Sequence, residues 1–132
     1  MVMLTFILTV FLALSACPVQ NEPISVELRP SKLVIFNNTT AILNFAVMER
    51  KSAEYTNWMP CNHPSLCGGR GIKPGLSRGI PYRLISNWYP SAEVIVYWWS
   101  LMPDPTAENG YRVDGPYNRV SPTPKMASLA SR

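Results

Sequence analysis

The sequence predicts an all-β fold, an antiparallel β-sandwich that follows an apolar leader of sixteen residues. Three observations carry this expectation. Apolar and polar residues alternate at period two in several short runs, the spacing of half-buried strands. Turn-forming residues separate those runs, with 13 prolines and 7 glycines in 132 residues. Charged residues make up only 15% of the chain, below the roughly 25% of a typical soluble domain. A hydrophobic content of 47% excludes a disordered chain, and the length suits one domain with one core.

The elements follow in order after a tether, residues 17–23. Ile24, Val26 and Leu28 fall on one face of a first strand, with Ser25, Glu27 and Arg29 on the other. Pro30-Ser31 breaks it, and Lys32 to Phe36 forms a second apolar run. Asn37-Asn38-Thr39-Thr40 reads as a turn, because Asn tolerates the left-handed region and bonds its own backbone. Ala41 to Met48 continues as a strand with Leu43, Phe45 and Val47 on one face, so a β-hairpin is expected here. Asn37 and Asn38 also open N-x-Thr sequons. These serve turn chemistry in a bacterium and would be glycan sites in a eukaryote.

Pro60 to Gly79 reads as loop, rich in Pro and Gly. Ile80 to Trp88 is expected to be a strand, with Pro81 at its tolerant start. Ala92 to Leu101 is the strongest strand. Val94, Val96 and Trp98 face one side; Ile95, Tyr97 and Trp99 face the other. Apolar residues on both faces mark a central strand or one with an exposed aromatic face. Core packing is the default for such aromatics, and an aromatic binding platform is the alternative. Pro103-Asp104-Pro105 ends this strand, and Asn109-Gly110 and Asp114-Gly115 mark tight turns around short strands at Tyr111–Val113 and Tyr117–Val120. The expected sandwich spans residues 24–121, and 122–132 is a flexible tail. No internal repeat, heptad or helix is evident in the mature part. About seven short strands in roughly 100 residues argue for an immunoglobulin-like sandwich, with an open barrel as the alternative.

The leader sets the compartment. Residues 1–16 carry no charged side chain, and Leu4 to Leu14 form an apolar stretch of about eleven residues. That is too short to span a membrane, which takes ~20, and suits a secretory signal. Leu14-Ser15-Ala16-Cys17 closes it and resembles the lipobox of bacterial lipoproteins: an aliphatic residue, two small ones and a cysteine. The resemblance covers the export signal alone. It implies removal of residues 1–16, diacylglycerol on the Cys17 thiol and a third acyl chain on its new amine. It also implies a cell-envelope location facing the periplasm. Pro18 is not the aspartate of inner-membrane retention, so the outer membrane is the expected one.

With Cys17 carrying lipid, Cys61 and Cys67 remain, and an even pair in an oxidising compartment implies a disulfide. A metal site from Cys61, His63 and Cys67 is the weaker reading. It lacks C-x₂-C spacing and an obvious fourth ligand. No cofactor is expected.

The net charge of +4 is too small to argue for nucleic acid. One stretch is distinct. Between Glu54 and Glu93 there is no acidic residue, while Arg70, Lys73, Arg78 and Arg83 fall there. These cations, with Trp58 and Trp88, are the candidate partner-binding residues, against a reading as ordinary solvated loop charges.

Two motifs invite catalytic readings. Gly75-Leu76-Ser77-Arg78-Gly79 matches G-x-S-x-G, but the nucleophile elbow needs a strand before it, a helix after it and a large α/β sheet. Pro74-Gly75 is better read as a type II turn. Gly68-Gly69-Arg70-Gly71 lacks the Lys-Ser/Thr ending of a phosphate loop. No carboxylate pair is placed for acid–base work, so no enzyme is expected.

The pattern from Phe45 to Tyr82 also resembles, over about a third of the chain, small exported bacterial domains of immunoglobulin-like type. Their cysteine loop precedes I-x-P-G and a strand near I-P-Y, here Ile72-Lys73-Pro74-Gly75 and Ile80-Pro81-Tyr82. Small envelope lipoproteins of this size include immunity proteins against secreted toxins. The functional expectation is therefore a lipid-anchored periplasmic binding protein without catalytic activity that holds a protein partner. The alternative is a structural envelope lipoprotein contacting peptidoglycan or a secretion or assembly complex.

Overall fold

A computed structural model describes residues 22–125. The export signal and Cys17 lie outside the described residues, as do positions 126–132. The architecture is two three-stranded antiparallel sheets packed face to face, a β-sandwich. One sheet has the order β1 (Ile24–Leu28), β2 (Lys32–Asn37), β4 (Ser77–Pro81). The other has the order β3 (Asn44–Glu49), β5 (Glu93–Pro103), β6 (Tyr111–Pro122).

Period two sets the interior. Ile24, Leu33, Ile35, Leu43, Val94 and Val96 are buried together, with Val26, Leu28, Phe45, Val47, Ile80 and Trp98 packed against them. Burial of side chains of this size stabilises by about 1.5–3 kcal/mol each. Alternation along β1, β3 and β5 therefore does what it predicts. Tyr82 closes the interior at one end. It is 1% exposed, its hydroxyl donates to the Arg29 carbonyl at 2.7 Å, and Trp88 stacks on its ring at 5.2 Å.

Four local expectations are corrected. First, β2 and β3 do not form a hairpin: β2 pairs with β1 and β4, and β3 pairs with β5. The turn carries the chain across to the other sheet because Asn37 is a buried anchor. Its amide donates to the Ala41 and Ile72 carbonyls, both at 2.8 Å, and its oxygen accepts from Thr39 N–H. That burial also removes Asn37 as a glycan acceptor.

Second, the strand expected over Ile80–Trp88 begins at Ser77 and ends at Pro81. A 3₁₀ turn, Tyr82–Leu84, follows and sends Tyr82 inward. Third, Asp114-Gly115 is not a turn. β6 runs through it, with a register irregularity opposite Trp98 and Ser100. Ser121 and Thr123, at the boundary with the expected tail, are buried, and the Thr123 hydroxyl donates to the Ala92 carbonyl at 2.6 Å. Fourth, two single-turn helices occur, α1 (Arg50–Ala53) and α2 (Pro64–Cys67). The Glu49 carboxylate caps α1 by accepting from the Lys51 and Ser52 amides, and the Ser52 bond above all holds Glu49 below its ordinary pKa.

The pairing registers define two ends. One end gathers the start of β1, the end of β2, the starts of β3 and β4, and the β5–β6 connection. Glu22 and Pro23 enter here, so it is the tether end. The far end holds the β1–β2 turn, α1 and the Tyr82–Ala92 segment.

Candidate functional site

The connection between β3 and β4 builds the site. After α1 the chain crosses the outer face of the β3-β5-β6 sheet. Trp58 settles on Tyr97, edge-on at 4.7 Å, and on Trp99 at 5.6 Å. This explains why β5 is apolar on both faces: Val94 and Val96 face the other sheet, while Tyr97 and Trp99 face this loop. The disulfide Cys61–Cys67 closes the loop, with Cα atoms 5.3 Å apart. Trp99 Nε1 donates to the Cys61 carbonyl at 3.0 Å. Asn109 Nδ2 donates to the Asn62 carbonyl at 3.0 Å, and His63 stands edge-on against Tyr111 at 5.3 Å. Covalent closure and these three contacts fix the loop on the sheet and on the β5–β6 hairpin.

Beyond the loop a second turn returns to the tether end. Leu43 and Ile72 form an isolated antiparallel bridge, 2.9 and 2.8 Å between their amides and carbonyls. Gly71 is required by this approach, because a Cβ there would stand 3.1 Å from Asn44 Oδ1 and collide with Ile42. The Lys73-Pro74-Gly75-Leu76 turn follows. Gly75 has φ +74°, and Leu76 N–H donates to the Lys73 carbonyl at 3.1 Å, the geometry of a type II turn. Ser77 then opens β4, so a strand stands where a nucleophile elbow needs a helix.

Between the stapled loop, the 69–73 segment and the β5–β6 hairpin lies a cleft of about 350 Å³, of the size that takes a side chain or a small group. Ile42, Pro64, Leu101 and Pro103 make its walls, Cys67 ties it to the disulfide, and Asn44, Lys73 and Tyr111 supply polar atoms. What it offers is apolar contact with one cation at its rim. That cation, Lys73, is exposed, and Arg70, also exposed, lies on the same segment outside the lining.

The candidate cations are not gathered into one face. Arg78 lies opposite Ile35 on β2, with its guanidinium 5.9 Å from the Phe45 ring centre, so it caps the open side of the sandwich. Arg83 follows β4 at the far end. Trp58 and Trp88 are engaged within the fold, Trp88 through its stack on Tyr82 and its Nε1 bond to Thr123 at 3.1 Å. Among the described residues, no cluster of three His, Cys, Asp or Glu could hold a metal ion. The sequence reading missed the cleft, because its lining comes from four separate stretches of chain and carries no motif. No family model, curated protein or solved structure matches this chain.

Proposed function

We propose that this chain is a lipid-anchored periplasmic binding protein without catalytic activity, of immunity or inhibitor type, that holds a protein partner at the cleft. The cleft carries the reading. It pairs apolar walls with an exposed lysine, and a covalently closed loop holds its shape before any partner arrives. Preorganisation of this kind lowers the ordering cost of association. A partner side chain would enter between Leu101 and Pro64, the apolar walls of the cleft.

The strand order supports an immunoglobulin-like assignment. β1, β2 and β4 correspond to strands A, B and E, and β3, β5 and β6 to C, F and G, with the stapled connection in place of strand D. The Leu14-Ser15-Ala16-Cys17 motif supports anchoring through Cys17, with the outer membrane as the expected surface.

The test is site-specific photo-crosslinking of the full-length protein in its native envelope. A photoreactive residue at Leu101 should capture a discrete protein, and one at Tyr55, on the far end, should not. Equal capture at both positions, or binding of purified peptidoglycan with no protein captured at either, contradicts the reading.

A further inference from the structure

The tether and the loop tips beside it are tied together by hydrogen bonds. Asn38 N–H donates to the Pro23 carbonyl at 3.0 Å, and its side-chain amide donates to the Glu22 carbonyl at 3.2 Å and Ser25 Oγ at 2.8 Å. Next to it, Asn37 joins the 38–42 loop to the 72–76 turn. Its N–H donates to the Leu76 carbonyl at 2.9 Å, and its carbonyl accepts from Gly75 N–H at 3.0 Å. The point where the tether enters is thus fixed to a tip made of two loops.

That tip is apolar and cationic. Ile42 and Leu76 are each 55% exposed, and Ala41, Pro74 and Lys73 are exposed with them. Arg70 lies on the segment leading into it. Four acidic residues are sited at this end. Glu22 is paired with Arg119 at 3.2 Å, Asp104 and Glu108 belong to the β5–β6 loop, where Asp104 accepts from Thr106 two residues on, and Asp114 accepts from the Tyr117 hydroxyl at 2.6 Å.

Chain length restricts what can lie against the tip. Five Cα steps separate Cys17 from Glu22, a reach of at most about 18 Å. The eleven residues of β5 alone extend about 36 Å. An anchored Cys17 therefore keeps this end, and not the far one, at the bilayer. We propose that the tip is a second membrane contact: Ile42, Pro74 and Leu76 enter the headgroup layer, and Lys73 meets anionic phospholipid. The inference rests on the lipid anchor proposed for Cys17. Its consequence is orientation. Ile42 and Lys73 belong to both the tip and the cleft, so a partner enters the cleft at the membrane surface.

The experiment uses the full-length lipidated protein in vesicles containing phosphatidylglycerol. With Cys61 and Cys67 joined and Cys17 acylated, a Leu76→Cys thiol is the single free one and takes a fluorescent label. A Tyr55→Cys variant, labelled in the same way, reports the far end. Lipids carrying nitroxide on the acyl chain should quench the label at 76 at least threefold more than the label at 55. Lys73→Glu on the Leu76→Cys background should at least halve that quenching while flotation with the vesicles stays unchanged. Flotation with equal quenching at 76 and 55 overturns the tip contact and leaves the anchor standing. Failure of the unmutated protein to float overturns the anchor and the inference built on it.

Discussion

The two faces of the central strand β5 are sealed in different ways. Toward the other sheet, Val94 and Val96 lie in a largely aliphatic interior with Leu33 and Ile35, which Tyr82 and Ile85 close at the far end. Toward the outside, Tyr97 and Trp99 are covered by one loop, and a seven-residue ring closed by Cys61–Cys67 gives that loop its shape. The neighbouring tryptophans show the contrast at single-residue scale. Trp98 points inward and its indole N–H is buried without a partner among the described residues, whereas Trp99 points outward and its N–H reaches the Cys61 carbonyl. The interior holds the fold through burial. The outer face holds the cleft through a covalent staple and a few directed contacts, so the cleft should be separable from the fold.

The largest effect expected is in the interior. Ile35→Ala removes a fully buried side chain and should cost about 2–5 kcal/mol, read as a lower denaturation midpoint. The staple comes next. Replacing Cys61 and Cys67 together by Ser should cost about 2.4 kcal/mol at most for a ring of this size. Hydrogen exchange should speed up in the Trp58–Gly69 segment while the Ile35 and Val96 amides stay protected. Comparable loss of protection in both regions would erase the distinction between the faces.

A smaller pair sharpens it. Trp99→Phe loses a hydrogen bond and should cost about 1 kcal/mol more than Trp98→Phe, which removes an N–H with no partner among the described residues. Equal costs would place the two rings in equivalent settings. The smallest effect belongs to the cap of α1. The Ser52 amide, more than the other contacts, holds the Glu49 carboxylate below its ordinary value near 4.5. Its stabilisation is then fully present above that pH and is lost as pH falls through the lowered value. Glu49→Gln should lower the melting temperature slightly at pH 7, with the gap closing toward pH 3. A gap that widens on acidification would contradict the cap.

These contrasts also mark what could be read from the chain alone. Period two placed Ile24, Val26, Phe45, Val47, Val94 and Val96 on the correct faces, because alternation is local and burial enforces it. Partner choice is not local. Nothing between Phe36 and Leu43 distinguishes a hairpin from a crossing, and Asn37 decides it through a carbonyl 35 positions away, at Ile72. Tyr82 likewise looks like a strand residue until its buried ring turns the chain at that point. The disulfide was legible from cysteine parity and the type II turn from Pro74-Gly75, since each depends on chemistry within a few residues. The cleft was not, because Ile42, Pro64, Leu101 and Tyr111 meet only once both sheets are in place.

The most direct test joins the staple to the proposed binding at the cleft. Photo-crosslinking from Leu101 in the native envelope is compared between the unmutated protein and the Cys61→Ser, Cys67→Ser double variant, with circular dichroism of each. The protein crosslink at Leu101 should be lost in the double variant while the β-sheet spectrum is retained. An undiminished crosslink without the staple would contradict a binding cleft shaped by that loop.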